Sequence, residues 1–305
     1  MPWRCCCEEV PPSTEAGATI ALCMETLREV ITQRSVRGVT LFERRVGAGP
    51  PTVVLHGGPG AHHDYLLPGF DRLAARRSLI YYDQRGGGRS AVAREVPVGW
   101  REQVADLEAM RSAWGLAQLS LAGYSWGGLL AVLYALEHPE RVESLALVSC
   151  APVWLGARSE FERRLAARNA APEVQEARRL VQAGGLRERS PEEYRQRMFE
   201  LSVAGYFHVW RKARELTPFR ITGRTQKEVW DSLGDFDLRA GIAQLRVPAV
   251  VLHGEDDPIP IETAEALARL LGVRLHRVPE CGHVPYVEAP EIFTRVLDEF
   301  LPREV

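Results

Sequence analysis

One stretch constrains this chain more than any other. Leu119 to Leu136 runs from an apolar segment through Gly123-x-Ser125-x-Gly127 into a helical pattern. Leu119 to Ala122 reads as a buried strand and Leu129 to Leu136 as a helix. A serine between the two sits on a sharp turn, with small residues on either side relieving the crowding. Such a turn holds the hydroxyl clear of the backbone at the top of a sheet, where a base can reach it. A plain glycine-rich strand-to-helix turn has the same five residues, so the reading depends on what surrounds it.

Strand and helix alternate around that turn. Glu29 to Ser35 and Val39 to Val46 alternate apolar and polar residues about Arg37-Gly38, which predicts an antiparallel hairpin. Thr52 to Leu55 and Ser78 to Tyr82 are short apolar strands of a buried sheet. Trp100 to Trp114 has helical spacing, Leu129 to Glu137 is a helix stopped by His138-Pro139, and Val142 to Ser149 is the next strand. From about Pro152 to Leu233 the rhythm stops, and arginine- and glutamate-rich helical stretches take over. These are Ser159 to Arg168, opening on a capping box with Glu162, then Pro172 to Ala183, Ser190 to Leu216 and Thr225 to Leu233. Strands return at Pro248 to Leu252 and Val273 to Val278, each followed by a helix, Glu262 to Leu271 and Pro290 to Phe300. The expected class is α/β, a mostly parallel sheet with helices. Its core spans 27–151 and 236–305, with a helical cap at 152–235. Residues 1–26, rich in Pro, Glu and Ser, read as a disordered leader, with Met24 as an alternative start.

Composition removes several classes of function. The 305 residues are 46% hydrophobic and 26% charged, as in a globular domain with an inserted piece. A net charge of −2 supplies no basic field for nucleic acid or acidic lipid. No apolar run is long enough to span a membrane, and the first residues lack a signal-peptide core. Six cysteines, three of them adjacent at Cys5, Cys6 and Cys7, suit neither a disulfide framework nor a CxxC metal site. A reducing, cytoplasmic setting is expected. His62, His63 and Asp64 are metal-ligand types, but neighbouring histidines point apart, so they read as a polar pocket rim.

Four loops follow predicted strands. His56-Gly57-Gly58-Pro59-Gly60 brings backbone close to a ligand and can aim a peptide N–H, that of Gly58, at a developing oxyanion. In Asp83 to Ser90, three glycines exclude regular structure, and Asp83 and Arg85 are expected to bind loop backbone and each other. His253 to Pro260 offers a histidine-orienting carboxylate, Asp257 first and Asp256 as the alternative. Glu280 to Pro285 presents His283. Ser125, Asp257 and His283 thus occur as serine, acid, histidine, each just past a strand. In a parallel sheet those loops gather at one edge. In the cap, Tyr206, Phe207, Trp210, Phe219 and Trp230 either line a substrate pocket or form the cap's own core.

From Glu29 to Leu301 this arrangement resembles the α/β-hydrolase superfamily, and within it the proline iminopeptidases. The resemblance rests on His56-Gly57-Gly58-Pro59-Gly60, on Asp83-Gln84-Arg85-Gly86-x-Gly88-Arg89-Ser90 and on Gly123-x-Ser125-Trp126-Gly127. It implies the α/β-hydrolase fold, a mostly parallel eight-stranded sheet with a helical cap insertion. It implies Ser125 as nucleophile, His283 as base and Asp257 as acid, with N–H groups of Gly58 and Trp126 forming the oxyanion hole. No metal or organic cofactor is implied. The expected partner is a small-molecule substrate, a short peptide or an ester, with no nucleic acid and no membrane; the oligomeric state is open. The family's aminopeptidases hold the substrate amine with acidic residues, several of them in the cap. Glu193, Glu200 and Glu215 supply carboxylates there, and Glu200, near Tyr206 and Phe207, is the candidate. Tyr124 stands where many of these peptidases have glycine. The alternatives are a carboxylesterase or amidase on small acyl substrates, and a binding protein without catalysis, which the presence of all three triad residues opposes. Ser125 also argues against relatives that use an aspartate nucleophile.

Overall fold

Residues 28–67 and 69–304 are described in the computed structural model. The expected leader, with Cys5, Cys6, Cys7 and Met24, lies outside them. The chain begins with a hairpin, β1 (Glu29–Val36) and β2 (Val39–Val46), in full antiparallel register from Glu29↔Val46 to Val36↔Val39. Its two-residue turn places Arg37 at φ 47° and Gly38 at φ 76°. Both central residues at positive φ match the turn geometry that follows the twist of paired strands.

Six further strands extend the sheet: β3 (Pro51–Leu55), β4 (Ser78–Tyr82), β5 (Leu119–Tyr124), β6 (Val142–Val148), β7 (Ala249–Gly254) and β8 (Leu275–Val278). The order is β1-β2-β4-β3-β5-β6-β7-β8, and every pairing from β4 to β8 is parallel. The central strands are apolar along their whole length because both faces are covered. Val53, Leu55, Leu121 and Leu145 face one core with α1 (Trp100–Ala113) and α2 (Trp126–Glu137). Val54, Ala122, Ala146 and Val148 face the other, with Phe70 and with Phe293 and Leu297 of the last helix, Pro290–Phe300.

Between β6 and β7 the described residues contain helices and turns but no strand. The longer helices are α3 (Leu155–Asn169), α4 (Pro172–Ala183), α5 (Pro191–Val203) and α6 (Gly223–Leu233). The chain enters and leaves this segment side by side: Leu155 N–H donates to Phe236 O at 2.9 Å, and Leu238 N–H to Val153 O at 2.9 Å. Helix α3 starts four residues before the Ser159 expected to cap it. Ser159 lies inside the helix and its hydroxyl donates back to Leu155 O, so it is no N-cap. The segment is seated on the sheet's loops. Thr225 Oγ1 donates to Gly86 O, and Thr222 N–H to Gly60 O, both at 2.9 Å.

The first turn of α2 approaches β3 so closely that a Cβ on Gly127 would strike the Leu55 backbone carbonyl. That approach sets Ser125 beside the loop after β3. Gly127→Ala is expected to destabilise the protein by about 2 kcal/mol or more through overpacking against backbone. Gly223→Ala, with open space around it, should stay within about 0.5 kcal/mol. Urea denaturation of both variants checks the contrast; equal midpoints would contradict the packing account.

Candidate active site

Ser125 occupies the turn between β5 and α2 at φ 54° and ψ −118°, where a residue with a side chain is strained. The neighbourhood fixes it. Ser125 N–H donates to Val148 O at 3.0 Å, and Ser125 O accepts from Gly128 and Ala151 N–H, each at 2.9 Å. The residue is left partly exposed. Opposite it, His283 Nε2 lies 3.0 Å from Ser125 Oγ. His283 Nδ1 lies 2.8 and 3.1 Å from the two oxygens of Asp257. A carboxylate only accepts, so the Nδ1 proton faces Asp257 and Nε2 is free to accept from the serine hydroxyl. Asp257 and His283 are each 3% exposed.

Burial alone pushes the Asp257 carboxyl up. The charges of His283 and His253, the hydrogen bond from His283 and that from Ile259 N–H, at 2.7 Å, outweigh it and hold the group below its usual value. It is therefore ionised at neutral pH. The alternative acid, Asp256, turns outward and pairs with His208 Nδ1 at 2.8 Å.

The histidine loop is clasped from below by a residue that no sequence pattern singled out. The buried Glu288 carboxylate accepts from Gly282 N–H at 2.7 Å and from His208 and Val209 N–H at 3.0 and 3.3 Å. Burial raises its pKa, and those backbone donors only partly offset this. His283 N–H donates to Tyr206 O at 2.6 Å. The His283 loop and the 206–209 segment of the insertion are thus joined by several hydrogen bonds.

On the other side of Ser125 lies the loop after β3. Gly57 is so near that a Cβ on it would sit 3.1 Å from the serine Cβ. Gly57 N–H donates to the buried Tyr65 hydroxyl at 2.7 Å. Neither Gly58 N–H nor Trp126 N–H meets a backbone acceptor among the described residues. Trp126 opens α2, so its N–H has no helical partner.

The next loop departs from expectation in its pairings. Asp83 and Arg85 do not bind each other. Arg85 makes a buried two-point pair with Asp106 of α1, at 2.6 and 2.5 Å. Asp83 instead accepts from His63 Nδ1 at 2.7 Å and from Arg89 N–H and Nε–H at 2.9 and 3.1 Å. His63 is no pocket rim: it is buried between the Phe42 and Tyr81 rings.

Aromatic rings roof the His283 imidazole. Tyr206 stacks on the His283 imidazole at 5.1 Å, Tyr124 is tilted against it at 5.3 Å, and Phe161 of α3 lies at 6.1 Å. Only Tyr206 among the cap candidates is in this group. Phe207 is buried in the core it shares with Phe70 and Phe293, and Trp210 packs on the Val174, Leu201 and Ala204 cluster. Phe219 lies on Tyr65 at 4.3 Å, and Trp230 meets Trp126 edge-on at 5.4 Å. Glu200 lines a separate groove of about 1220 Å³, with Glu193 and Glu215. Its carboxylate is engaged by Gln196 at 3.1 Å and Arg197 at 3.2 Å. Phe161 escaped the sequence pattern because one aromatic in a charged helix carries no signal. Among the described residues no group of three His, Cys, Asp or Glu side chains is arranged to hold a metal ion, and no helix is long and apolar enough to cross a membrane.

Comparison with known proteins places this geometry. Residues 50–290 match the family model described as alpha/beta hydrolase fold. The chain is 30% identical over 268 residues to a proline iminopeptidase of Lactobacillus helveticus, covering 83% of this chain and 90% of the relative. A proline iminopeptidase of Heyndrickxia coagulans is 28% identical over 272 residues, covering 84% and 91%. Among solved structures, a proline iminopeptidase-related protein from Thermus thermophilus superposes with a TM-score of 0.70 at 25% identity. That match covers 90% of this chain and 97% of the other. An esterase from Exiguobacterium antarcticum, with a TM-score of 0.64 at 24% identity over 88% and 97%, shares the fold.

The site carries a pH signature of its own. Full burial lowers the pKa of His56 from 6.5 to about 4, more than the nearby Asp83 charge restores. Below about 6.5 the unfolded chain protonates this imidazole, while the folded chain does not until about 4. Stability should therefore fall through that window as pH is lowered, by about 3 kcal/mol from this group. Urea denaturation between pH 7 and 4 checks it against His56→Asn, which should lose that part of the slope. An unchanged slope in the variant contradicts it.

Proposed function

We propose that this chain, which belongs to the α/β-hydrolase fold family and is a proline iminopeptidase-like hydrolase within it, is a serine hydrolase working through an acyl-enzyme. The observation that carries this reading is the unbroken line of hydrogen bonds from Asp257 through His283 to Ser125, ending on a partly exposed residue. Ser125 Oγ attacks the substrate carbonyl as His283 Nε2 takes its proton. Asp257 holds the tautomer and stabilises the imidazolium. The N–H groups of Gly58 and Trp126 stabilise the developing oxyanion, each contributing about 10²–10³ in rate. His283 then protonates the leaving group. Water, deprotonated by the same histidine, releases the acyl group and restores Ser125.

The substrate is a short peptide from which the N-terminal residue is released. Support comes from the curated relatives, both proline iminopeptidases that align over about nine-tenths of their length. A second reading, a carboxylesterase or amidase on small uncharged acyl groups, is favoured by two observations. Glu200, the cap carboxylate expected to hold a substrate amine, is already engaged by Arg197 and Gln196, and the rings above His283 are aromatic.

Hydrolysis of prolyl-p-nitroanilide and p-nitrophenyl butyrate separates these readings. The first should be cleaved, and Ser125→Ala should lower its kcat by roughly 10⁶-fold with the fold unchanged, as for other triad serines. Cleavage of the ester alone selects the second reading. Activity retained in the alanine variant overturns both.

A further inference from the structure

We propose that His56 and Gln84 are positioning residues that together aim both oxyanion donors, the Gly58 and Trp126 N–H groups, at the carbonyl held on Ser125. This rests on the serine-hydrolase reading above. Both side chains are fully buried, and neither was singled out by the order of serine, acid and histidine.

The argument starts from one proton. His56 is fully buried, with its Nε2 3.0 Å from Gln84 N and its Nδ1 2.7 Å from Gly57 O. A backbone N–H can only donate, so Nε2 must accept and the imidazole proton must sit on Nδ1. The Nδ1–H therefore donates to Gly57 O. Gly57 O belongs to the same planar, trans peptide unit as Gly58 N–H, and in such a unit the two groups point in opposite directions. Drawing the carbonyl toward His56 turns the Gly58 N–H away from it. Gly57 itself packs on Ser125, so the turned N–H is presented on the serine side of the loop.

The second donor is held by the same pair. Gln84 Nε2 donates to His56 O at 2.9 Å, and its Oε1 accepts from the Trp126 indole N–H at 2.8 Å. An indole N–H only donates, which fixes the orientation of the Gln84 amide. Trp126 is thereby anchored at its side chain while its backbone N–H heads α2 without a helical partner. The brace runs from the carbonyl beside one donor to the side chain of the other, across 42 residues of sequence between Gln84 and Trp126.

Three variants test this: His56→Leu, His56→Asn and Gln84→Met. Rates are normalised to the endpoint of fluorophosphonate titration, so that misfolded protein is not counted. A peptidyl trifluoromethyl ketone reports oxyanion binding directly. His56→Leu and Gln84→Met should lower kcat by about 10²-fold with KM within about twofold, and weaken the ketone in parallel. His56→Asn places an amide N–H where Nδ1–H was. It should keep kcat within about fivefold of wild type while melting at lower temperature, because Gln84 N–H loses its acceptor. A purely structural role would instead lower the melting temperature in all three with no split between kcat and KM.

Wild-type kcat in folded His56→Leu or Gln84→Met overturns the proposal, and so does an Asn variant as slow as the Leu variant. If His56→Leu does not fold, Gln84→Met decides alone. Ser125→Ala in the same assay separates the two levels: activity there removes the serine-hydrolase reading itself, whatever the brace variants do.

Discussion

The structure depends on one strained residue being held where it is. Ser125 sits at φ 54°, a conformation that costs on the order of 1–3 kcal/mol for a residue with a side chain. Backbone bonds to Val148, Ala151 and Gly128 keep it there, and so does the close crossing of α2 over the end of β3. The strain has a consequence for chemistry. It turns the hydroxyl out of the backbone, beside the first N–H of α2, which as a helix start has no helical acceptor. On the proposed mechanism, one turn would therefore supply both an attacking group and a donor for the charge that attack creates.

The parallel sheet does the rest of the gathering. Loops after β3, β5, β7 and β8 all leave the same edge, which brings Gly58, Ser125, Asp257 and His283 together from 226 positions of sequence, 58 to 283. The helical segment is not a loose cover over that edge. Its 206–209 stretch shares hydrogen bonds with the His283 loop through Tyr206 O and the Glu288 carboxylate, and its Tyr206 ring stacks on the imidazole. A movement of this stretch is therefore also a movement of His283. The 206–209 stretch and the His283 loop are coupled in this fold by these shared hydrogen bonds.

Much of this was legible in the sequence, for a physical reason. A short apolar run marks a buried strand and a proline opening a helical pattern marks a helix start, so β4 and the helices Pro172–Ala183 and Pro290–Phe300 fall where the pattern put them. The loops that follow the strands then fix which residues meet at the sheet edge. What was not legible depends on contacts made only after folding. Arg85 leaves Asp83 for Asp106 because α1 packs against that loop. Ser159 disappears into a helix that begins at Leu155, since the helix start is set by the pairing of Val153 and Leu155 with Leu238 and Phe236. Phe207 and Trp210 turn into the core while Phe161 comes over the base, and no spacing rule separates them. The roles of His56, Gln84 and Glu288 rest on small sets of hydrogen bonds whose partners are fixed only by folding.

The account's central claim is that Ser125 is an activated nucleophile. The most direct measurement is stoichiometric labelling with a fluorophosphonate, followed by identification of the modified peptide by mass spectrometry. The account predicts one adduct per chain, on Ser125, formed much more slowly in His283→Ala. No adduct, or an adduct on another residue at the same rate, would contradict it.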